Sequence, residues 1–429
     1  MMIMKKTGWL EGVKPSLLTL TMGGFSIGMT EFMMMGVLPD VSRTLAISIP
    51  SAGHLISIYA LGVVIGAPLM TGLTQNLKPK KVLMALMLMC GAFNALFAIS
   101  PNYELLMASR FFAGLPHGAF FGMGAIVASR LAAPGREART VSLMFAGLTI
   151  ANIIGVPLGT YIGHQLSWRF SFILIAVVAF LAAASVKKWL PDLSPSGSGG
   201  FASSLKAFRQ PEPWLIICVS AIGTGGLFAW ISYIAPLMTN IAGFSAGSIT
   251  AIMVVAGAGM AVGNFVGGRL ADKFSPLKTT SMLLLAMVVS LIVVALVTRY
   301  QAAALVMTFV TGAIAFAVIS PMQMLMIGAA KGSEMLASSA LQASSNVGNA
   351  LGAFLGGLPL VAGYDFTSPQ YVGSGLAFCG FIFCLLLTWR QKNISVMGKT
   401  ELPVGVPART TSSPAIMFTP PMILSEQAE

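Results

Sequence analysis

The chain has 429 residues, of which 56% are hydrophobic and only 9% charged, and its 25 Lys and Arg against 13 Asp and Glu leave a formal net charge of +12. With a mean hydropathy of +0.85, it is excluded from the water-soluble globular class, whose surfaces need far more charge, and the bilayer becomes its expected solvent. The positive excess does not point to nucleic acid, because the basic residues are scattered between apolar runs rather than gathered on one soluble face.

The first 14 residues are basic and read as a cytoplasmic N-terminus. The apolar run behind them is too long for a signal peptide and lacks an A-x-A cleavage site, so it is expected to be a first, uncleaved span. In the first half, apolar runs cover approximately Pro15 to Leu38, Gly53 to Leu73, Val82 to Ser100, Tyr103 to Leu131, Thr140 to Ile162 and Trp168 to Val186. A stretch rich in Pro, Ser and Gly, residues 191–213, reads as a cytoplasmic linker. The second half repeats the series with Trp214 to Met238, Ser248 to Gly267, Thr280 to Val297, Ala302 to Ala329, Leu336 to Val361 and Tyr371 to Trp389. Each run, at roughly 19 to 29 residues, is long enough to cross a hydrocarbon core of ~30 Å. The expected fold is an all-α membrane protein with twelve transmembrane helices in two pseudo-symmetric six-helix bundles, residues 15–190 and 214–389. Residues 390–429 turn polar and are expected to form a disordered cytoplasmic tail.

Alternating the spans from a cytoplasmic N-terminus places 21 basic residues in inner segments, against Arg43, Arg169 and Arg299 in outer turns. That bias predicts both termini and the linker on the cytoplasmic side of a multi-pass inner or plasma membrane protein.

The two halves share landmarks at an offset of 196 or 197 residues: Pro39 and Pro236, Gly66 and Gly263, Gly72 and Gly268, Asn76 and Asp272, and the run Asn152, Gly155, Gly159 against Asn349, Gly352, Gly356. A fixed offset held over so long a stretch is the mark of a duplicated helical unit, the usual construction of secondary transporters.

Cys90, Cys218, Cys379 and Cys384 all fall inside spans without a C-x-x-C pair, so they read as apolar filler and no metal site is expected. Away from the span ends, Glu31 is the one acidic residue within a span and Arg110 the one basic residue. A charge at that depth costs at least ~2.5 kcal/mol. Both lie roughly 10 Å below the outer interface at ~1.5 Å per residue, where they could face one another. Arg110, Gly114, His117 and Phe121 follow a helical face, which puts His117 two turns deeper beside the same site. The bland reading makes Glu31 and Arg110 a buried ion pair locking two helices and His117 the satisfier of a kinked backbone at Pro116. Gly114, Gly118 and Gly122 read as close helix packing. Polar or aromatic side chains in apolar spans that could line a substrate cavity are Tyr59, Asn152, Trp230, Tyr233, Asn264, Gln323, Gln342, Asn346 and Asn349, each as readily a helix-to-helix hydrogen bond as a ligand contact.

Thr30-Glu31-Phe32 with Gly36-Val37-Leu38-Pro39, the run from Pro116-His117-Gly118 to Gly122, and Gly147-Leu148-Thr149 through Asn152 to Gly155-Val156-Pro157-Leu158-Gly159 carry a resemblance. Over Pro15 to Trp389 the chain resembles the major facilitator superfamily, in its drug:proton antiporter branch, and within that the AraJ-type efflux permeases. Arg110 with Gly114 is similar to the fourth-helix arginine motif. Gly147, Gly155, Pro157 and Gly159 are similar to the fifth-helix antiporter motif, with Gly-x-Pro-x-Gly where the general pattern has Gly and Pro adjacent. The inner-loop motif appears twice in incomplete form: Gly72, Asn76, Lys80 and Lys81, then Gly268, Asp272 and Lys273. A carboxylate in that motif can cap a helix of the other half, an effect of ~0.3 to 2 kcal/mol, so the first copy, with Asn76, should hold less firmly.

The expected activity is proton-coupled efflux of a small organic solute, with the proton gradient as energy source and no cofactor. The resemblance leaves sugars, purine nucleosides and drugs open. Uptake of a sugar or nucleoside, by facilitation or proton symport, is the alternative, and a non-transporting membrane sensor a lesser one. The expected partners are the solute, protons and lipid, with no nucleic acid and a monomeric state; no nucleophile-base or metal constellation speaks for an enzyme.

Overall fold

The computed structural model describes residues 15–74, 76–133, 137–195, 208–330 and 333–400, and within these every regular element is a helix. In the first half these are α1 (Pro15–Leu45), α2 (Ile49–Thr74), α3 (Pro79–Ile99), α4 (Tyr103–Leu131), α5 (Glu137–Ile150), a π-turn (Ala151–Gly155), α6 (Val156–Gln165) and α7 (Trp168–Trp189). The second half consists of α8 (Pro211–Gly223), α9 (Gly225–Ile231), α10 (Ile234–Asn240), α11 (Ile249–Phe274), α12 (Pro276–Val297), α13 (Gln301–Ala317), α14 (Ile319–Ala329), α15 (Glu334–Val361) and α16 (Ser368–Thr400). The described residues up to Thr388 form one compact unit, and those from Trp389 are assigned to a second.

Among the described residues ten helical segments are long and apolar enough to cross a membrane, with α5–α6, α8–α10 and α13–α14 each counting as one. The remaining two expected spans are α1 and α15, which have 31 and 28 residues. Both have the length but carry more polar side chains, among them Glu31 on α1 and Gln342, Asn346 and Asn349 on α15.

Three breaks inside spans fall four residues ahead of a proline, where the missing N–H leaves a carbonyl unclaimed. Pro157 follows Ile153 of the π-turn, Pro236 follows Ser232 between α9 and α10, and Pro321 follows Ala317 at the end of α13. Pro39, Pro68, Pro116 and Pro359 lie in helices that run on. At two span starts the first turn is capped: Asn102 accepts from the Leu105 N–H at 3.0 Å and Ser167 from the Arg169 N–H at 3.3 Å. One expected boundary is corrected. The last helix does not stop at Trp389 but continues to Thr400, because the polar turns beyond Trp389 meet no proline before Pro403. Most of the expected tail, most of the linker and the N-terminal stretch lie outside the described residues.

The repeat is visible as packing. Gly62 of α2 lies against the Phe111 carbonyl of α4, and Gly259 of α11 against the Phe309 carbonyl of α13. One turn on, Gly66 meets Leu115 and Gly263 meets Ala313. In each half the second helix rides backbone-to-backbone on the fourth, a separation that only glycine permits.

The apolar core forks. Around the end where α1 finishes and α2 begins, called here the far end, one continuous cluster joins Met33, Val37 and Leu55 of the first half to Trp230, Ile234 and Met253 of the second. Toward the opposite end, where the linker attaches, the core divides into one cluster confined to the first half, with Leu86, Phe120 and Val186, and another confined to the second, with Leu284, Met326 and Leu341. At the far end Tyr233 wedges between Gly53 of α2 and Gly357 of α15, its hydroxyl donating to the Ala353 carbonyl at 2.6 Å. Beside it Ser57 donates to the Ala350 carbonyl at 3.2 Å.

Gly62→Val is expected to push α2 off α4, destabilising by roughly 1–3 kcal/mol or more as overpacking does. Gly72→Val, where an added Cβ meets open space, should stay within about 0.5 kcal/mol of the parent. Thermal unfolding in detergent, followed by circular dichroism, separates the two.

Candidate functional site

Glu31 sits midway along α1, 6% exposed, and Arg110 on α4 is fully buried. They do not form the ion pair that the sequence invited. Arg110 instead donates from Nη1 to the Thr30 carbonyl at 3.0 Å and from Nε to the Leu55 carbonyl at 3.2 Å. Its guanidinium carbon stands 4.4 Å from the centroid of the Tyr59 ring, with Phe97 and Phe172 farther out. Helix carbonyls have a second lone pair free, so Arg110 ties α4 to α1 and α2 without opening either helix. Its Nη2 has no hydrogen-bond partner. The Glu31 carboxyl lies next along the chain from Thr30, close enough to feel the guanidinium charge, and its Oε1 accepts from Nδ2 of Asn349 at 3.5 Å.

Tyr59 links this charge to His117. Its hydroxyl lies 3.0 Å from Nδ1 of His117, so one ring stacks on Arg110 and holds the imidazole at its edge.

Both Glu31 and His117 face a cavity of about 100 Å³ at the point where the core forks. Its apolar wall is made by Phe32, Phe228 and Phe316, whose rings pack at 6.3 and 6.1 Å from Phe32, and by Met287 and Met322. Ser220, Thr224, Gln323, Gln342, Ser345 and Asn346 supply uncharged polar groups. The two sources are distinct: the titratable side chains come from the first half, and these six polar ones all come from the second.

Of the residues singled out from sequence, Gln323, Gln342 and Asn346 line this cavity. Gln323 also donates to Ser338 at 2.9 Å. Tyr59 stands one layer behind, and Asn349 reaches the cavity only through Glu31. Asn152 bonds back to the Leu148 carbonyl at 3.1 Å, and Asn264 accepts from Ser320 at 3.4 Å. Trp230 and Tyr233 belong to the far-end core. Sequence reasoning did not assign Phe32 or Phe228 to the cavity, yet the repeat offset of 196 pairs these two.

The motif residues are dispersed. Gly147 lies against the Thr21 carbonyl and Phe25 N–H of α1, and Gly155 and Gly159 against Met29 and Met33. Pro157 follows the π-turn. Gly72 and Gly268 face open space. Asn76 is exposed in the turn before α3, which Lys80 and Lys81 help to begin. Lys273 stands over the Phe274 ring at 5.1 Å, and the side chain of Asp272 is outside those described. Among the described residues no group of three or more His, Cys, Asp or Glu is placed to hold a metal.

The sequence profile of the Major Facilitator Superfamily matches residues 20–335. The chain belongs to that superfamily. It is 39% identical over 380 residues to the "Putative transporter AraJ" of Escherichia coli (strain K12), covering 89% of this chain and 96% of that one. It is 36% identical to the "Inner membrane transport protein YdhP" of the same strain, over 87% of this chain and 96% of the relative. A "Chloramphenicol resistance protein" of Streptomyces lividans is 30% identical over 79% of this chain and 85% of its own length. In fold the protein is similar to a bacterial homologue of the human lysosomal transporter Spinster, with a TM-score of 0.65 at 15% identity, over 87% of this chain and 94% of that one. This major facilitator protein is thus an integral, multi-pass transport protein, not an enzyme.

Tyr59 has two separable parts. Tyr59→Phe keeps the ring under Arg110 and removes the hydroxyl at His117, and is expected to cost about 1 kcal/mol of stability. Tyr59→Leu also removes the ring and should add roughly 0.5–2 kcal/mol. Equal losses in thermal unfolding would show that the guanidinium gains nothing from the ring.

Proposed function

We propose that the protein exports a small amphiphilic organic solute in exchange for protons, with Glu31 as the proton carrier. The observation that carries this reading is the cavity itself: one carboxyl set in an aromatic and thioether wall shared by both halves, faced by uncharged hydrogen-bonding groups from the second. The N-terminal half supplies the proton chemistry through Glu31, with Arg110 and His117 beside it. The C-terminal half supplies recognition. A solute with one apolar face and one hydrogen-bonding edge fits these walls. A fully hydroxylated sugar would set part of its polar rim against Phe and Met side chains, and each unmet hydroxyl costs about 1–3 kcal/mol. The row of Gln and Asn on α14 and α15 is what favours the second reading, uptake of a sugar or nucleoside.

The bias of basic residues supports cytoplasmic termini and linker, in the inner membrane that the name of YdhP indicates for that relative. On that orientation the continuous core lies outside and the forked core inside, so the structure is sealed toward the exterior. One proton entering down 100 mV supplies ~2.3 kcal/mol and one pH unit ~1.4. Together, ~3.7 kcal/mol sustains a solute gradient of several hundredfold. The protein is proposed to work as a monomer without a cofactor.

Proteoliposomes with an imposed pH gradient, offered chloramphenicol, a pentose and a purine nucleoside, test direction, coupling and solute together. Solute movement opposite to proton flow is expected, and movement with the protons would overturn antiport. Glu31→Gln should lower gradient-driven accumulation at least about tenfold, as loss of ~1.4 kcal/mol of coupling requires, while downhill exchange persists. Unimpaired accumulation in that variant would remove Glu31 from the mechanism and turn attention to His117. For orientation, a cysteine at Ser196 should react with an impermeant thiol reagent only after intact cells are permeabilised.

A further inference from the structure

The internal repeat pairs Asn152 with Asn349 at an offset of 197 residues, so the two amides begin as equivalents. Their surroundings differ. Asn152 turns back on its own half and donates to the Leu148 carbonyl. Asn349, midway along α15, sends its amide across the boundary between the halves to Oε1 of Glu31, at 3.5 Å. That is the long limit for such a bond, a contact poised rather than locked. The other amide atom, Oδ1, is buried without a hydrogen-bond partner on a side chain that is 0% exposed. A buried acceptor left unmet is unfavourable, which points to a donor it meets in another state.

Glu31 can be that donor. An ionised carboxylate only accepts hydrogen bonds, whereas a protonated carboxyl carries one O–H. Charged, Glu31 takes the Nδ2–H of Asn349; neutral, it can donate to Oδ1 after a turn of the amide. The other titratable or charged groups facing this carboxyl are Arg110 and His117 of α4 and Tyr59 of α2, with Cys90 of α3 beyond them. All four belong to the N-terminal half. They can shift the charge on Glu31 but cannot carry its consequence to the other half.

We infer that Asn349 is a positioning residue that passes the protonation state of Glu31 to the C-terminal half, its amide showing Nδ2–H to the carboxylate and Oδ1 to the protonated carboxyl. The inference rests on Glu31 being the proton carrier. α15 also supplies Gln342, Ser345 and Asn346 to the cavity wall, so the helix that registers the proton is the one that contacts the solute.

The test uses the full chain in lipid nanodiscs, with spin labels at Arg43→Cys and Tyr364→Cys, far-end positions whose parent residues are 74% and 69% exposed. Cys218 and Cys379 are replaced by serine, and Cys90 and Cys384 are buried. Double electron–electron resonance follows the distance between the halves through an acid-to-alkaline titration, and infrared difference spectroscopy follows the carboxyl. Asn349→Leu, of similar volume, should cut the pH-driven distance change about five-fold, the factor one net hydrogen bond supplies, while the carboxyl still titrates. Asn349→Gln, which keeps donor and acceptor, should retain more than half of the change. A full response in Asn349→Leu overturns the inference, and so does an equal loss in both variants, which would make the residue a packing element. Asn349→Ala replaces the leucine variant if that one does not fold. A response that survives in Glu31→Gln instead overturns the proton-carrier reading, and the two failures are distinct.

Discussion

A guanidinium inside a bilayer protein must be met by something, and what meets Arg110 shapes everything around it. Two helix carbonyls and the face of Tyr59 hold it, so the charge is anchored without the carboxyl of Glu31. The distinction matters energetically. Where two buried charges pair directly, neutralising one strands the other at about 3–5 kcal/mol. Here Arg110 keeps its carbonyls whatever Glu31 does, so the carboxyl can gain and lose a proton without unpicking the joint between α1, α2 and α4. The same anchor fixes where Glu31 stands, because one of the two carbonyls belongs to Thr30, its neighbour in the chain.

That arrangement marks the limit of what the sequence discloses. Glu31, Arg110 and His117 were legible because charge and imidazole are conspicuous in apolar spans, and their shared depth followed from helical rise. The acceptors of Arg110 were not, because backbone carbonyls have no letter in the sequence. The six-plus-six architecture followed from run lengths, and the repeat offset paired Gly66 with Gly263, whose equivalent contacts only the packing shows. The breaks ahead of Pro157, Pro236 and Pro321 did not follow, since Pro39 and Pro116 carry the same local rule yet lie in helices that continue. Asn152 and Asn349 show the gap most sharply. One offset relates them, and tertiary context alone makes one a self-satisfied amide and the other a bridge between halves. The cavity wall was hidden for a similar reason: a phenylalanine facing lipid and one facing a cavity look alike until the helices are packed.

Alternating exposure of a central site, the cycle that the proposed export would need, requires each half to hold its own shape while the seam between them changes. The packing separates these duties. Within each half, the second and fourth helices meet backbone to backbone at paired glycines, an interface with no side chain to yield. Between the halves, the far-end seam combines side-chain contacts, Ser57 to the Ala350 carbonyl and the Tyr233 ring against Gly53, with a close approach of Gly257 to the Asn152 carbonyl. The forked core expresses the same division, being continuous where the halves are joined and divided where they can part.

The size of these seam contacts fits the energy that the proposed proton coupling would supply. A net intramolecular hydrogen bond contributes about 0.5–1.5 kcal/mol, and even in membranes such bonds between helices average only ~0.6. On that proposal a proton crossing down ~100 mV and about one pH unit would supply ~3.7 kcal/mol, enough to exchange two or three such contacts for their counterparts at the opposite end. A direct Glu31–Arg110 ion pair at the hinge of the cycle would consume most of that each time it opened. Under the proposed coupling, holding Arg110 on carbonyls, with a single long amide contact from Asn349 to register the carboxyl, would keep the switching step smaller than the energy that drives it.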